Sequence, residues 1–184
     1  MILSASEITA RLHESGCINN QSDDSRSTVP PLTCHCPATP SRETDKSISP
    51  ASAVDRGFII SPFSPDSLQP ASYDLRVAHD QVLPQGICSL VPTLEWVELP
   101  MDLAATLRCR SSFGRKGVLI GAGFVDPGFR GQLTLCLVNM GAMDVPLHQN
   151  DRVVQMIMHE VKGGDRLYEG RYQDSHGVIH SKEQ

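Results

Sequence analysis

The sequence predicts a mostly β fold: a sandwich, a jelly roll or a barrel-like fold. From Phe58 onward, short apolar or alternating segments recur at regular spacing, and Gly, Pro, Asn or Asp occupies most of the gaps. The stretch GAGFVDPGFRGQL at 121–133 is typical of a β-hairpin, because strand-like sequence lies on both sides and Pro127-Gly128 favours a turn. At 184 residues, the chain has room for one medium domain.

A short helix is predicted over residues 4–15. Ser4 and Glu7 stand at the capping-box spacing, and Gly16 occupies the position of a C-terminal capping glycine. Two apolar residues fall on one face of this helix, Ile8 and Leu12. A helix this short has little stability alone, so we expect it to pack against the β domain.

Residues 17–55 differ in character from the rest of the chain. They are rich in Ser, Thr, Pro, Asp and Asn and contain few large apolar side chains. Such a segment cannot bury enough apolar surface to offset its ordering entropy, so we predict a disordered insertion within a single domain spanning 1–184. Cys17 and the Cys-His-Cys triplet at 34–36 lack the usual zinc-ligand spacing, and we interpret them as incidental thiols.

Composition and charge exclude several classes of protein. The formal net charge is −5 and no basic block is present, which argues against a nucleic-acid groove. No apolar run reaches the roughly 20 residues of a membrane helix, and the N-terminus lacks the pattern of a signal peptide. The six cysteines do not have the spacing of a disulfide framework. We therefore expect a cytoplasmic protein with neither nucleic acid nor membrane as a partner.

The sequence from residue 69 onward predicts a series of short strands followed by a less regular tail. QPASYDLRV at 69–77 alternates, which predicts that Tyr73 and Leu75 face the core and that Asp74 faces outward. Further short strands are predicted near 81–83, 87–91, 94–99, 103–110, 117–121, 131–139, 144–147 and 152–160. Residues 162–184 show no clear core face, so we predict a mobile tail.

One polar block closes a predicted strand. In RCRSSFGRKG, Arg110, Ser111 and Ser112 precede Gly114. An arginine beside two hydroxyl groups and a loosened backbone can hold an anion, but an ordinary polar turn has the same pattern. The residues alone leave both interpretations open.

Two further polar positions stand in strand or hairpin sequence. The hairpin carries a single carboxylate, Asp126, next to glycines that let a ligand approach the backbone closely. Gln155 interrupts an apolar strand, although an outward position also explains a lone glutamine. Neither a Ser-His-Asp arrangement nor a phosphate-binding loop is present in the sequence. Any phosphate chemistry must therefore use scattered groups and a divalent ion.

Taken in order, four blocks resemble the trimeric dUTPase and dCTP deaminase superfamily: QPASYDLRV, RCRSSFGRKG, the Asp126 hairpin and NDRVVQMI. Several segments resemble its deaminase branch: MILSASEI, QPASYDLRV, LEWVELPMDLAATLRCRSSFGRKG and the tail LYEGRYQ with Gly177 and Ser181. The resemblance covers 1–16 and about 58–184. It implies a distorted β-barrel or jelly roll of the dUTPase-like (β-clip) type, a deoxynucleoside triphosphate substrate, Mg²⁺, and a homotrimer whose sites are shared between subunits.

One position in the strand after the hairpin distinguishes the deaminase branch from the dUTPase branch. Deaminases of this superfamily carry a catalytic Glu at this position, whereas the segment LTLCLVN of this chain has Cys136 there. Metal-free deamination needs a group that takes a proton from water and passes it on, and a buried thiol does this poorly. The hairpin IGAGFVD also resembles the dUTPase version. The sequence thus favours dUTP hydrolysis to dUMP and pyrophosphate, with Cys136 as a small core residue. The alternatives are a dCTP deaminase, a bifunctional enzyme and a non-catalytic nucleotide-binding member.

The resemblance also implies roles for individual residues. Asp126 is the base that activates water, and Asp74 contacts magnesium through water. The implied nucleotide-binding residues are Arg110, Ser111, Ser112, Arg115, Gly121, Gly123, Phe124, Val125, Phe129, Gln155, Tyr168 and Arg171. Of these, the hairpin residues read the base edge with backbone groups, and Phe129 packs on the deoxyribose. We expect the tail to fold over bound nucleotide, with a disordered terminus as the alternative.

Overall fold

The computed structural model describes residues 1–16, 57–164 and 166–181. The predicted insertion at 17–55, with Cys17 and the triplet at 34–36, lies outside the described residues. The flanks of this segment lie against each other, because a side-chain carbon added at Gly57 would stand 2.1 Å from the Ser15 Oγ. No helix in the described ranges is long and apolar enough to cross a membrane.

The N-terminal helix forms as the capping pattern predicts. Helix α1 spans Ala5–Glu14, and the Ser4 hydroxyl accepts a hydrogen bond from the Glu7 N–H at 3.3 Å. Gly16 follows the helix with φ +71°, a conformation that favours glycine. Ile8 and Leu12 are buried, so the apolar face packs into the core of the β domain.

The rest of the described chain is built of short strands, which confirms the mostly β prediction. The strands are β1 (Ile59–Ser61), β2 (Leu68–Gln69), β3 (Ser72–Arg76), β4 (Gln81–Leu83), β5 (Cys88–Glu98), β6 (Leu103–Cys109), β7 (Val118–Gly121), β8 (Phe124–Val125), β9 (Arg130–Asn139), β10 (Val145–Leu147) and β11 (Arg152–Glu160). A one-turn helix, α2 (Ser111–Gly114), follows β6, and a 3-10 turn at Pro65–Ser67 precedes β2.

The strands form two larger sheets and a two-stranded ribbon. One sheet has the order β1-β5-β9-β7, the other β2-β3-β11-β6-β8, and the ribbon is β10-β4. Every pair is antiparallel. One buried cluster draws leucines from β9 and methionines from β11, so the core lies between the two sheets.

The hairpin predicted at 121–133 connects these sheets. Its arms pair as β7 and β9, from Gly121↔Cys136 to Val118↔Asn139. Its distal part leaves this sheet and forms β8, which pairs with β6 of the other sheet. The hairpin is therefore anchored to both sheets.

The outward position predicted for Asp74 is wrong. Strand β3 is buried on both faces from Ser72 to Leu75, and Asp74 has no exposed surface. Two arginines, Arg110 and Arg152, lie against its carboxylate and cover it. Simple alternation fails here because charged side chains, rather than water, cover the second face of the strand.

Candidate active site

A pocket of about 660 Å³ opens beside strand β9. Most of its lining comes from three parts of the chain: β9 itself, the hairpin between β7 and β9, and the C-terminal segment 166–181. Leu90 of β5, Leu107 of β6 and Ile120 of β7 complete it. Of the residues predicted from the sequence, those that line it are Gly121, Gly123, Phe124, Val125, Asp126, Phe129 and Tyr168. One pocket thus collects the hairpin and tail positions.

The hairpin presents backbone to this pocket in an unusual conformation. Ala122 has φ +63° and Gly123 has φ +124°. A Cβ at Gly123 would lie 3.1 Å from the Leu107 carbonyl oxygen, and the Leu107 N–H donates to the Gly123 carbonyl at 2.7 Å. The backbone therefore lies directly on β6, and a side chain at 123 would lift it away.

Asp126 follows β8 at the exposed end of the hairpin. Among the residues of ranges 1–16, 57–164 and 166–181 that line the pocket, it is the only carboxylate. Its backbone carbonyl accepts from the Phe129 N–H at 3.2 Å, which closes the Pro127-Gly128 turn. The carboxylate is solvent-accessible and borders an apolar cavity, a position in which it can accept a proton from a bound water.

Strand β9 turns one face to the core and the other to the pocket. Leu133, Leu135 and Leu137 are buried in the core, although the first two also border the pocket. Gln132, Thr134 and Cys136 alternate with them, are partly exposed and line the pocket.

The interpretation of Cys136 as a small core residue is wrong, since Cys136 is partly exposed in the pocket. Burial, with a smaller contribution from nearby Cys88, raises the pKa of the Cys136 thiol above its ordinary value. A thiol with a raised pKa is protonated at neutral pH and is a weak proton acceptor.

The C-terminal segment folds back onto the hairpin. The Tyr168 N–H donates to the Pro127 carbonyl at 2.7 Å, and the Tyr168 ring meets Phe129 edge-on, with centroids 5.7 Å apart. Tyr168 and Tyr172 both line the pocket, but Arg171 does not. The predicted mobility of this segment stays a prediction.

A second group of predicted residues surrounds Asp74, away from the pocket lining. The Arg110 Nε lies 3.0 Å and an Arg152 terminal nitrogen 3.9 Å from the same oxygen of Asp74. Arg110 also donates to the Arg152 carbonyl at 2.9 Å. Gln155, paired with Asp74 across the strands, donates to the Ser72 hydroxyl at 3.4 Å. Asp74 therefore faces two guanidinium groups as ion-pair partners, and each guanidinium also donates a hydrogen bond to a backbone carbonyl.

The predicted anion cradle begins at Arg110. Arg110 stands at the N-cap of α2 with an extended backbone, and buried Phe113 anchors the turn. The remaining cradle residues are exposed and do not line the pocket: Ser111, Ser112 and Arg115. One chain thus presents two separate sets of groups, the pocket set and the Arg110 set.

Burial raises the pKa of the Asp74 carboxyl, and Arg110 and then Arg152 partly offset this effect. The same side chain does not fit a direct magnesium ligand, because it is buried and its charge already faces two arginines. Within the ranges that the structure describes, no three His, Cys, Asp or Glu side chains come together as a metal site. A water-mediated contact from Asp74 to magnesium stays a prediction.

Sequence reasoning missed the polar residues that β9 and the end of the chain contribute to the pocket. These are Gln132, Thr134, Ser175, His180 and Ser181. A signal was present for the first two, because QLTLCLV alternates polar or small residues with leucines. His180 and Ser181 gave no such signal, since their position depends on where the tail folds.

The fold defines the class of protein. A likeness to solved structures extends to the 2′-deoxycytidine 5′-triphosphate deaminase of Agrobacterium tumefaciens, with a TM-score of 0.50, 20% identity, and coverage of 55% of this chain and 43% of that chain. A Staphylococcus bacteriophage 80alpha dUTPase gives a TM-score of 0.50 at 16% identity, covering 62% of this chain and 96% of the other. The chain thus has the dUTPase-like β fold.

Sequence comparisons identify the family. A family model described as dCTP deaminase-like matches residues 78–161. A protein of Thermococcus sibiricus named dCTP deaminase is 36% identical over 151 residues, which is 73% of this chain and 97% of the relative. One from Pyrococcus horikoshii with the same name is 37% identical over 145 residues, covering 70% and 93%. The chain belongs to the dUTPase and dCTP deaminase superfamily, a family of enzymes of nucleotide metabolism.

Proposed function

We propose that this protein hydrolyses dUTP to dUMP and pyrophosphate. The observation that carries the proposal is the chemistry of the pocket wall: Asp126 is the only carboxylate that the described part of the chain contributes to it, and Cys136 stands where the resemblance requires a glutamate for deamination. Hydrolysis at phosphorus needs one proton acceptor, which Asp126 supplies.

In the proposed step, Asp126 orients a water molecule and accepts its proton. The water oxygen forms a bond to the α-phosphorus, and the bond from this phosphorus to the oxygen bridging to the β-phosphate breaks. Pyrophosphate leaves with the electron pair of that bond. Magnesium enters with the triphosphate as the metal–nucleotide complex, which is the substrate.

Backbone groups at 121–125 are proposed to read the base. Uracil offers an acceptor at O4 and a donor at N3, and cytosine reverses both. Fixed main-chain groups therefore leave two mismatches with cytosine, each costing about 1–3 kcal/mol. The position of Gly123 against β6 supports this role. Its carbonyl accepts a hydrogen bond of 2.7 Å from the Leu107 N–H, so this part of the backbone cannot shift to suit the wrong base.

The phosphates are proposed to contact a neighbouring subunit. Arg110, Ser111, Ser112 and Arg115 do not line the pocket of their own chain. A homotrimer that presents this set to the next subunit's pocket would complete the site. Exposure of both serines and of Arg115 on a one-turn helix supports this arrangement.

One assay separates the proposal from its alternatives. The protein is incubated with magnesium and either dUTP or dCTP, and pyrophosphate and ammonia are followed separately. Pyrophosphate from dUTP without ammonia from dCTP is the expected result. Ammonia from dCTP would overturn a purely hydrolytic function, and neither product would indicate a nucleotide-binding protein without catalysis.

A specific observation keeps dCTP deamination as the second candidate. Relatives at 35–37% identity are named dCTP deaminase, and one from Methanopyrus kandleri, 41% identical over 105 residues, is named dCTP deaminase, dUMP-forming. In this chain such a reaction needs a proton carrier other than Cys136. The ammonia measurement decides between the two candidates.

The proposed base is tested by Asp126→Asn. Because general-base help contributes about 10²–10⁴-fold, we expect kcat for dUTP to fall by at least about 10²-fold while dUTP binding persists. Asp80→Asn is the matched control, since Asp80 lies outside the pocket and its Oδ1, which accepts from the Gln149 N–H, is retained. Undiminished hydrolysis by Asp126→Asn would reject the assignment.

A further inference from the structure

The C-terminal segment pairs with an edge of β9 that β7 leaves open. Strand β7 pairs with β9 only at 136–139. Farther along the same strand, the Asp174 N–H donates to the Arg130 carbonyl at 2.8 Å, and the Gln132 N–H donates to the Ser175 carbonyl at 2.9 Å. Gly131 and Ser175 form a parallel bridge. The segment thus extends the sheet as a short parallel strand.

Gly131 allows this close approach. Its φ is +149°, and a Cβ built on it would lie 2.8 Å from the Ser175 Oγ and 2.9 Å from the Ser175 N. A side chain at this position would push the C-terminal segment away from β9. The contact is therefore specified by the sequence of β9 as well as by the tail.

The side chain of Gln132 bonds in two directions. Its Oε1 accepts from the Gly177 N–H at 2.8 Å, and its Nε2 donates to the Thr93 carbonyl at 3.1 Å. Gln132 therefore ties the tail to the irregular part of β5, between Pro92 and Trp96. Both ends of the amide are used, so its orientation is fixed.

Thr134 continues the same row of side chains toward the pocket. Its hydroxyl accepts from the Ile179 N–H at 3.0 Å and donates to the Gly177 carbonyl at 3.3 Å. Two successive side chains on one face of β9 thus bond three backbone groups of the tail. Ile179, His180 and Ser181, which follow directly, line the pocket.

A third contact between the C-terminal segment and the sheet involves a tryptophan, whose fluorescence can be measured. The His176 ring stacks on Trp96, with centroids 4.8 Å apart, and Trp96 is the only tryptophan in the chain. The Trp96 indole N–H also donates to the Glu98 carboxylate at 2.9 Å. Emission from this single indole is therefore sensitive to the C-terminal segment. Because Trp96 also pairs with Gln132 across the strands, proteolytic cleavage of the tail is the deciding measurement beside it.

We propose that Gln132 is a positioning residue: it holds residues 175–181 on β9 and so builds the wall of the pocket opposite the hairpin. It acts through the tail and does not touch the reacting atoms. The effect on catalysis rests on the proposed dUTP hydrolysis, whereas the effect on the tail does not.

The test compares wild type with Gln132→Met, which keeps the side-chain length and removes the hydrogen bonds of the amide to the tail and to β5. Gln85→Met, at an exposed position outside the pocket, is the matched control. Trp96 emission and the rate of tryptic cleavage after Arg171 are measured on the free protein. We expect Gln132→Met to shift the emission and to speed cleavage, and Gln85→Met to match wild type.

Kinetics with magnesium and dUTP give the second readout. Loss of the hydrogen bond to Gly177 is expected to raise KM about tenfold with a smaller change in kcat. Unchanged emission and cleavage in Gln132→Met would overturn the proposal, as would a fall in kcat at constant KM. If the tail is released in Gln132→Met but wild type does not hydrolyse dUTP, the positioning role stands and the proposed function fails.

Discussion

Asp74 shows how strongly one residue's surroundings change its chemistry. Its carboxyl is buried between strands and faces Arg110 and Arg152, and burial is the largest influence on its pKa. The pKa is raised above its ordinary value of 3.8, so the folded state holds the proton at a pH where the unfolded chain has lost it. Ionising Asp74 therefore lowers the free energy of unfolding as pH rises through this window.

Asp74→Asn removes this titration at nearly constant size. From about pH 4 upward, we expect the free energy of unfolding of wild type to fall relative to that of the variant, with a slope of at most about 1.4 kcal/mol per pH unit. The difference becomes constant above the raised pKa. Denaturant unfolding of both proteins between pH 4 and 7 measures it. A wild-type stability that instead rises relative to the variant would mean that the two arginines outweigh burial.

The hairpin is the element on which the pocket depends, and Gly123 is its tightest point. In Gly123→Val, a branched side chain must fit at φ +124° and within 3.1 Å of the Leu107 carbonyl. We expect the free energy of unfolding to fall by about 1–3 kcal/mol and nucleotide binding to weaken, because the hairpin must leave β6. Urea unfolding and nucleotide titration measure the two effects.

Gly121→Ala provides the comparison for this substitution. A Cβ at Gly121 meets nothing closer than Cys136 at 3.8 Å, which is ordinary van der Waals contact. We therefore expect wild-type stability within about 0.5 kcal/mol. Gly121 has no positive φ, so equal destabilisation by the two substitutions would show that neither the backbone conformation at 123 nor contact with Leu107 sets the cost of replacing Gly123.

For the helices and strands, the sequence pattern predicted those features that depend on residues close together in the chain. The capping of α1, the strand segments and the two arms of the hairpin follow from alternation and turn residues, and the structure contains them. The pairing of β8 with β6, the burial of Asp74 and the tail on β9 depend on partners far along the chain. The predicted split between 87–91 and 94–99 became one strand, β5, with an irregularity between Pro92 and Trp96, because pairing with β9 continues on both sides of it.

The candidate site also contains residues that the sequence pattern predicted and residues that it did not. The residues within one hairpin could be assigned together, because they are neighbours in sequence and now line one pocket. Gln132 and Thr134 were overlooked, since a polar residue in an alternating strand usually faces water. Only the folded tail converts that face into a pocket wall.

For the whole molecule, the two separate sets of groups predict that subunits share sites. Asp126→Asn removes the proposed base, and Arg110→Gln removes the proposed phosphate contact of the neighbouring subunit. Each variant alone should be nearly inactive toward dUTP. Co-refolded in equal amounts, they should recover roughly a quarter of wild-type activity, since random assembly gives one site in four both intact groups.

The mixture is assayed by pyrophosphate release, with each refolded parent as its control and circular dichroism to verify folding. A mixture no more active than its parents would place both groups in a site made by one chain. Size-exclusion chromatography of the mixture shows whether assembly occurred.

The contact between Ser15 and Gly57 affects how many residues the chain can carry between them. Because these two described residues lie in contact, the domain does not fix the number of residues between them. The entropic cost of bringing two points of a chain together grows only with the logarithm of the number of residues between them. We therefore expect additions or losses between Ser15 and Gly57 to leave the registers of β1, β5 and β9 unchanged, so that this junction is a place where the chain can accept new sequence.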